Sequence, residues 1–185
     1  MATINPGQFT AALGQSYGFD SVVPPFYITG ATLTANAASF PVLPIPAYPT
    51  LEIRLNCPGL SGSDIPTLRF NGDGGNNYWD RNVSIAQGAT LNTNAETATT
   101  AQIRLGIATT KQIVASLNII NFLGQGKVVS GRVVIGSGAV ATPGIVIQQA
   151  GEWVNTTAQI TSVTALILGA NSFLAGSSIM IFGGY

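Results

Sequence analysis

There is no histidine in the chain, and its single cysteine is Cys57. The first absence removes Ser-His-Asp and Cys-His catalytic arrangements and every imidazole metal ligand. The second removes any internal disulfide. Cys57 ends an alternating stretch in its apolar phase and reads as a small buried hydrophobe. Charge is scarce as well. Lys, Arg, Asp and Glu make up 8% of the 185 residues, seven bases against seven acids, where soluble domains carry about 25%. So sparse and balanced a set offers no electrostatic footprint for nucleic acid, and none is expected as a partner. No run reaches about 18 unbroken apolar residues, and the strand lengths are too irregular for a porin-type barrel, so no membrane is expected either. The start, "MATINPGQFTAALGQSYGFD", has no basic residue ahead of an apolar run and does not read as a secretory signal.

Ala, Thr, Ser, Asn, Gln and Gly take the place of charge, beside an ordinary 46% of hydrophobic residues. A soluble monomer keeps a charged surface and a net charge away from zero. This composition therefore points to a surface that faces other protein. The length suits one domain with a core of its own, with room for an arm.

Period two runs through the sequence. "TLEIRLNC" (50–57) sets Leu51, Ile53, Leu55 and Cys57 against Glu52, Arg54 and Asn56. "TLRF" (67–70) points Leu68 and Phe70 inward. "AQIRLGI" (101–107) aligns Ile103, Leu105 and Ile107, "KVVSGRVVI" (127–135) aligns Val129, Val133 and Ile135, and "SIMIF" (178–182) aligns Ile179 and Ile181. These are half-buried strands. "QIVASLNIINFLG" (112–124) fits neither period well and is read as two short strands meeting around Ser116–Asn118. Turn signals such as "PGLSGSD", "LGQGK", "GSGAVATPG" and "LGAN" separate the runs. The reading is all-β, an antiparallel, jelly-roll-like β-sandwich over 27–185 with an extended N-terminal arm over 1–26. "FPVLPIPAYP" (40–49), with four prolines, suits an edge or an extended link.

The stretch richest in chemistry is "LRFNGDGGNNYWD" (68–80). Asp73 and Asp80 have no partner nearby to tune them as an acid–base pair. Asn71, Asp73, Asn76 and Asp80 offer hard oxygens suited to Ca²⁺, without the bidentate Glu or flanking helices of an EF-hand. Asn-Gly and Asp-Gly are strong hairpin signals. The favoured reading is a hairpin turn over Asn71, Gly72, Asp73, Gly74, Gly75 and Asn76, with no metal and no cofactor. Arg69 stands within reach of Asp73 or Asp80 for a surface ion pair. Interface candidates are the aromatics Tyr17, Phe19, Phe26 and Tyr27, clustered where the arm meets the body, together with Tyr78, Trp79 and Trp153.

The same stretch resembles the "LRFNGDTGxNY" signature of a family of small all-β virion proteins of tailed bacteriophages. Residues 28–56, "ITGATLTANAASFPVLPIPAYPTLEIRLN", are similar to that family's opening. "GEWVNTTAQITSVTALI" (151–167) is similar to its "W-x-x-T-A-x-I-T-S-I" segment, and "FLAGSSIMIFGGY" (173–185) to its closing "F-x-x-G-S-x-I-x-L-Y-G" strand. Gly74 departs from the family's usual Thr, Met180 from a basic or polar residue, and Phe182 from Tyr. The resemblance implies a virion location, no catalysis and a building block that is often a homotrimer. Its partners would be a major capsid protein or neighbouring virion proteins. Two roles compete: a capsid decoration or cement protein whose arm bridges subunits, and a tail, fibre or baseplate module that binds other tail proteins or a host glycan. An enzyme is not expected, because a glycosidase needs two placed carboxylates and the seven acids lie scattered at 20, 52, 64, 73, 80, 96 and 152.

Overall fold

A computed structural model describes residues 26–85, 92–136 and 144–184. These form twelve strands, and no helix occurs among the described residues. In chain order they begin with β1 (Phe26–Thr32), β2 (Leu43–Pro44), β3 (Thr50–Cys57) and β4 (Pro66–Phe70). Next come β5 (Tyr78–Ile85), β6 (Asn92–Thr100), β7 (Ile103–Arg104) and β8 (Ile113–Ile120). The last are β9 (Lys127–Ile135), β10 (Ile145–Trp153), β11 (Ser162–Ile167) and β12 (Ser178–Gly184).

The strands make two antiparallel sheets. The large one runs β1-β12-β3-β8-β9-β10-β5-β6, the small one β2-β11-β4-β7. With β5, β6, β9 and β10 set aside, eight strands remain. The first, eighth, third and sixth of these form one sheet, and the second, seventh, fourth and fifth form the other. That is the strand order of a jelly roll, two Greek keys folded face to face. The four remaining strands arrive as two insertions, β5–β6 between β4 and β7 and β9–β10 between β8 and β11. Both lengthen the same sheet beyond β8.

The alternation read from the sequence governs the core. On β3, Leu51, Ile53, Leu55 and Cys57 are buried. Ile179 and Ile181 on β12, and Val129, Val133 and Ile135 on β9, join them beneath Leu68, Phe70, Val163 and Ala165 of the small sheet. Phe40 and Phe173 meet edge-on at 5.1 Å in the same cluster. The proline-bearing stretch supplies β2, an edge strand of the small sheet paired only through Leu43 and Pro44, as proline's missing N–H requires.

Two expectations change. Residues 113–120 form one unbroken strand whose residues alternate buried and exposed. Ala115 is a small residue at an inward position, while Val114 and Ile120 face outward. Residues 101–107 supply only the two-residue β7, since Gly106 at φ 89° turns the chain. β1 begins at Phe26, the last residue assigned to the arm; residues 1–25, with Tyr17 and Phe19, lie outside the described residues, as does most of "GSGAVATPG".

Candidate functional site

Residues 68–80 form a corner between the two sheets. This corrects the hairpin reading. β4 pairs with β11 and β7 in the small sheet, whereas β5 pairs with β10 and β6 in the large one. The turn chemistry itself is as the sequence suggests. Asn71 and Gly72 have φ of 51° and 68°, and the Asp73 N–H donates to Phe70 O at 2.9 Å. Two successive positive φ values are the pattern of a type I′ turn, tolerated by Asn and Gly. What prevents a hairpin is the side chain of Tyr78. Its hydroxyl accepts from Phe70 N at 3.0 Å and lies 3.2 Å from the carbonyl oxygens of Phe70 and Asp73, to which it donates. The phenol thus occupies the hydrogen-bonding edge of Phe70 that a hairpin partner would use, and β5 leaves for the other sheet.

Asp73 organises the outer half of the corner. One carboxylate oxygen accepts from Gly75 N at 2.9 Å; the other accepts from the Asn77 amide at 2.9 Å and the Trp153 indole at 2.7 Å. Partial burial pushes its pKa up, but the donors from Trp153, Asn77 and Gly75, with the Arg69 charge beyond them, outweigh this and hold it below the usual carboxylate range. Burial, opposed by the Phe70 amide and reinforced by the nearby Asp73 charge, pushes the Tyr78 phenol well above its ordinary value. Trp153 stacks on Tyr78 with centroids 6.3 Å apart, and both lie close to Phe70.

Asn71 ties the inner half to the chain before β11. Its amide donates to Gln159 O at 2.8 Å, and its oxygen accepts from Thr161 N and Ser162 N at 2.8 and 3.0 Å. Asn121, fully buried, does the same from the opposite side, bonding Tyr48 O and both backbone groups of Ile160. Residues 154–161 belong to no strand, so their peptide groups need such partners. Lys127 serves them too. Its ammonium is buried, donates to Gln125 O and, at 2.9 Å, to Asn155 O, and has its pKa pushed down by desolvation.

The sequence-predicted site residues therefore separate. Asn71 and Asp73 spend their oxygens on peptide, amide and indole donors, and Asp80 turns away into β5, so the four oxygens proposed for Ca²⁺ do not converge. Gly74, Gly75 and Asn76 are exposed at the tip. Tyr78 and Trp153, expected at an interface, are each 1% exposed and belong to the core. Trp79 is half-buried, its indole donating to Glu152 at 2.8 Å. Phe26 and Tyr27 are exposed, packed edge-on against Tyr48 and Phe182. Arg69 reaches the 101–102 backbone and side chain rather than Asp80, whose partner is Arg104.

Sequence reasoning missed Asn121, Lys127, Asn82 and Ser84, and placed Asp80 with the turn rather than in a buried polar row on β5. "YWDRNVSI" alternates, but Trp79 and Val83 fall on the phase opposite Tyr78 and are only half-buried. No protein-family model matches the chain, nor does any curated protein or solved structure.

Proposed function

We propose that this chain is a structural protein of a tailed-bacteriophage virion, a capsid decoration or cement protein. It binds major capsid subunits as a homotrimer, bridges them and stabilises the head without catalysing a reaction. The observation that carries this reading is the outer face of the large sheet. Val114, Val134 and Val146 stand directly opposite one another across β8, β9 and β10, and all are exposed. Ile120 and Val128 make a second exposed pair on the same face. A low-charge sandwich with apolar rows turned outward suits permanent protein contact, and contacts of about 1,200–2,000 Å² repeated around a symmetry axis give avidity. The "LRFNGD" stretch supports the reading in another way: its side chains hold a corner together and are spent on that task.

The test is the copy number in purified virions, by quantitative mass spectrometry against the major capsid protein. A ratio near one, or a simple fraction such as a third, supports shell decoration. A ratio far below this overturns it in favour of a tail, fibre or baseplate module.

A further inference from the structure

We infer that the inner face of β5 and β10 is a cation site of calcium's type, with Asp80 Oδ1, Asn82 Oδ1 and Gln149 Oε1 as ligands. The inference rests on the extension of the large sheet and is independent of the virion reading. Facing inward along β5 are Asp80, Asn82 and Ser84, all buried. Gln149, fully buried on β10, stands directly opposite Asn82 in register. Side chains so paired share a face, with Cβ atoms about 4.5–5.5 Å apart and diagonal neighbours about 7–8 Å away.

Among the described residues, three buried side-chain atoms lack a hydrogen-bond partner: Asp80 Oδ1, Asn82 Oδ1 and Gln149 Oε1. All three are oxygens, and all three belong to this one face. Buried polar groups are nearly always satisfied, so three orphaned acceptors gathered together call for one shared electrophile. Asp80 Oδ2 is already engaged, accepting from Arg104 N at 2.6 Å with the Arg104 guanidinium 3.6 Å away. This leaves Oδ1 free to bind in monodentate fashion. One carboxylate and two amide oxygens, with no imidazole or thiolate, make a hard donor set. Ca²⁺ accepts six to eight such oxygens in flexible geometry, whereas Mg²⁺ demands a small octahedron. The backbone register also places Glu96 opposite Asp80 and Asn94 opposite Asn82 on β6.

The experiment uses the full chain stripped with chelator. Tb³⁺, whose luminescence indoles sensitise, is titrated first and then displaced with Ca²⁺; melting is followed with and without millimolar Ca²⁺. The expected result is one saturable site per chain and a melting temperature raised by about 5 °C, by mass action on the folded state. Gln149→Leu should weaken binding by about tenfold, the scale of one lost contact to a charge. Asn82→Asp, which keeps the shape and adds charge, should strengthen it. A chain that neither sensitises terbium nor melts higher with Ca²⁺ overturns the inference, leaving these oxygens to internal water. Binding indifferent to Asn82→Asp also overturns it, because the ion would then sit elsewhere.

Discussion

On β3 the residues turned toward the small sheet are Leu51, Ile53, Leu55 and Cys57; on β5, four strands along the same sheet, they are Tyr78, Asp80, Asn82 and Ser84. β10 lies between and is mixed, burying Ile147, Gln149 and Trp153. The jelly-roll body is held by removal of apolar surface from water, worth about 1.5–3 kcal/mol for each fully buried large side chain. The far end of the extension buries polar groups instead, and such groups stabilise only when each finds a partner. The same backbone ladder thus runs from a region that tolerates conservative exchange of apolar residues to one that depends on individual bonds.

Substitutions can break this contrast, and the largest effect is expected where its two halves meet. Trp153→Ala removes a fully buried ring from beneath the corner and a donor from Asp73. It should cost about 3–5 kcal/mol in urea unfolding, with Trp153→Phe losing much less. Asp73→Ala strands the donors of Gly75, Asn77 and Trp153 and should cost about 1–3 kcal/mol. Because the folded pKa of Asp73 is depressed, its contribution is fully present above the unfolded value of about 3.9 and is lost as pH falls through the folded value. Asp73→Asn should therefore flatten the acid limb of a stability–pH curve. Asp80 is the counterpart with the opposite sign. Burial, partly offset by Arg104, raises its pKa, so its effect is most favourable below about pH 3.9 and declines as pH rises through the folded value. In chelator, Asp80→Asn should remove that decline, measured by the same unfolding curves.

How far the fold was legible follows the same division. β3 could be read directly because its buried face is apolar and its other face carries Glu52, Arg54 and Asn56; on β9 and β12 the buried phase of Val129, Val133, Ile135, Ile179 and Ile181 was legible although Val128, Val134 and Met180 are exposed on the other face. On β8 the period was lost because Val114 and Ile120 lie on its outer face while one of its buried positions is the small Ala115, so neither phase stands out. The Asn71-Gly72 turn was visible in the local chemistry, but the sheet that the next strand joins was not. That choice is made by Tyr78 reaching back to Phe70 and by Asp73 holding Trp153, eighty residues away. The phase of β5 was hidden for the same reason: its polar residues are buried because of where Tyr78 must sit. The jelly-roll strand order was likewise beyond local reading, since each of its sheets takes strands from both ends of the chain.

One pairing bears on how the molecule is made. β12 lies between β1 and β3. A chain emerging from the ribosome would complete β1, β2 and β3 while the slot between β1 and β3 stayed vacant for well over a hundred residues. Contacts so distant in sequence close slowly, and unfilled strand edges attract other chains in the meantime. The body of the large sheet is sealed only when β12 enters between β1 and β3, so its first half stays open until residues 178–184 have been made.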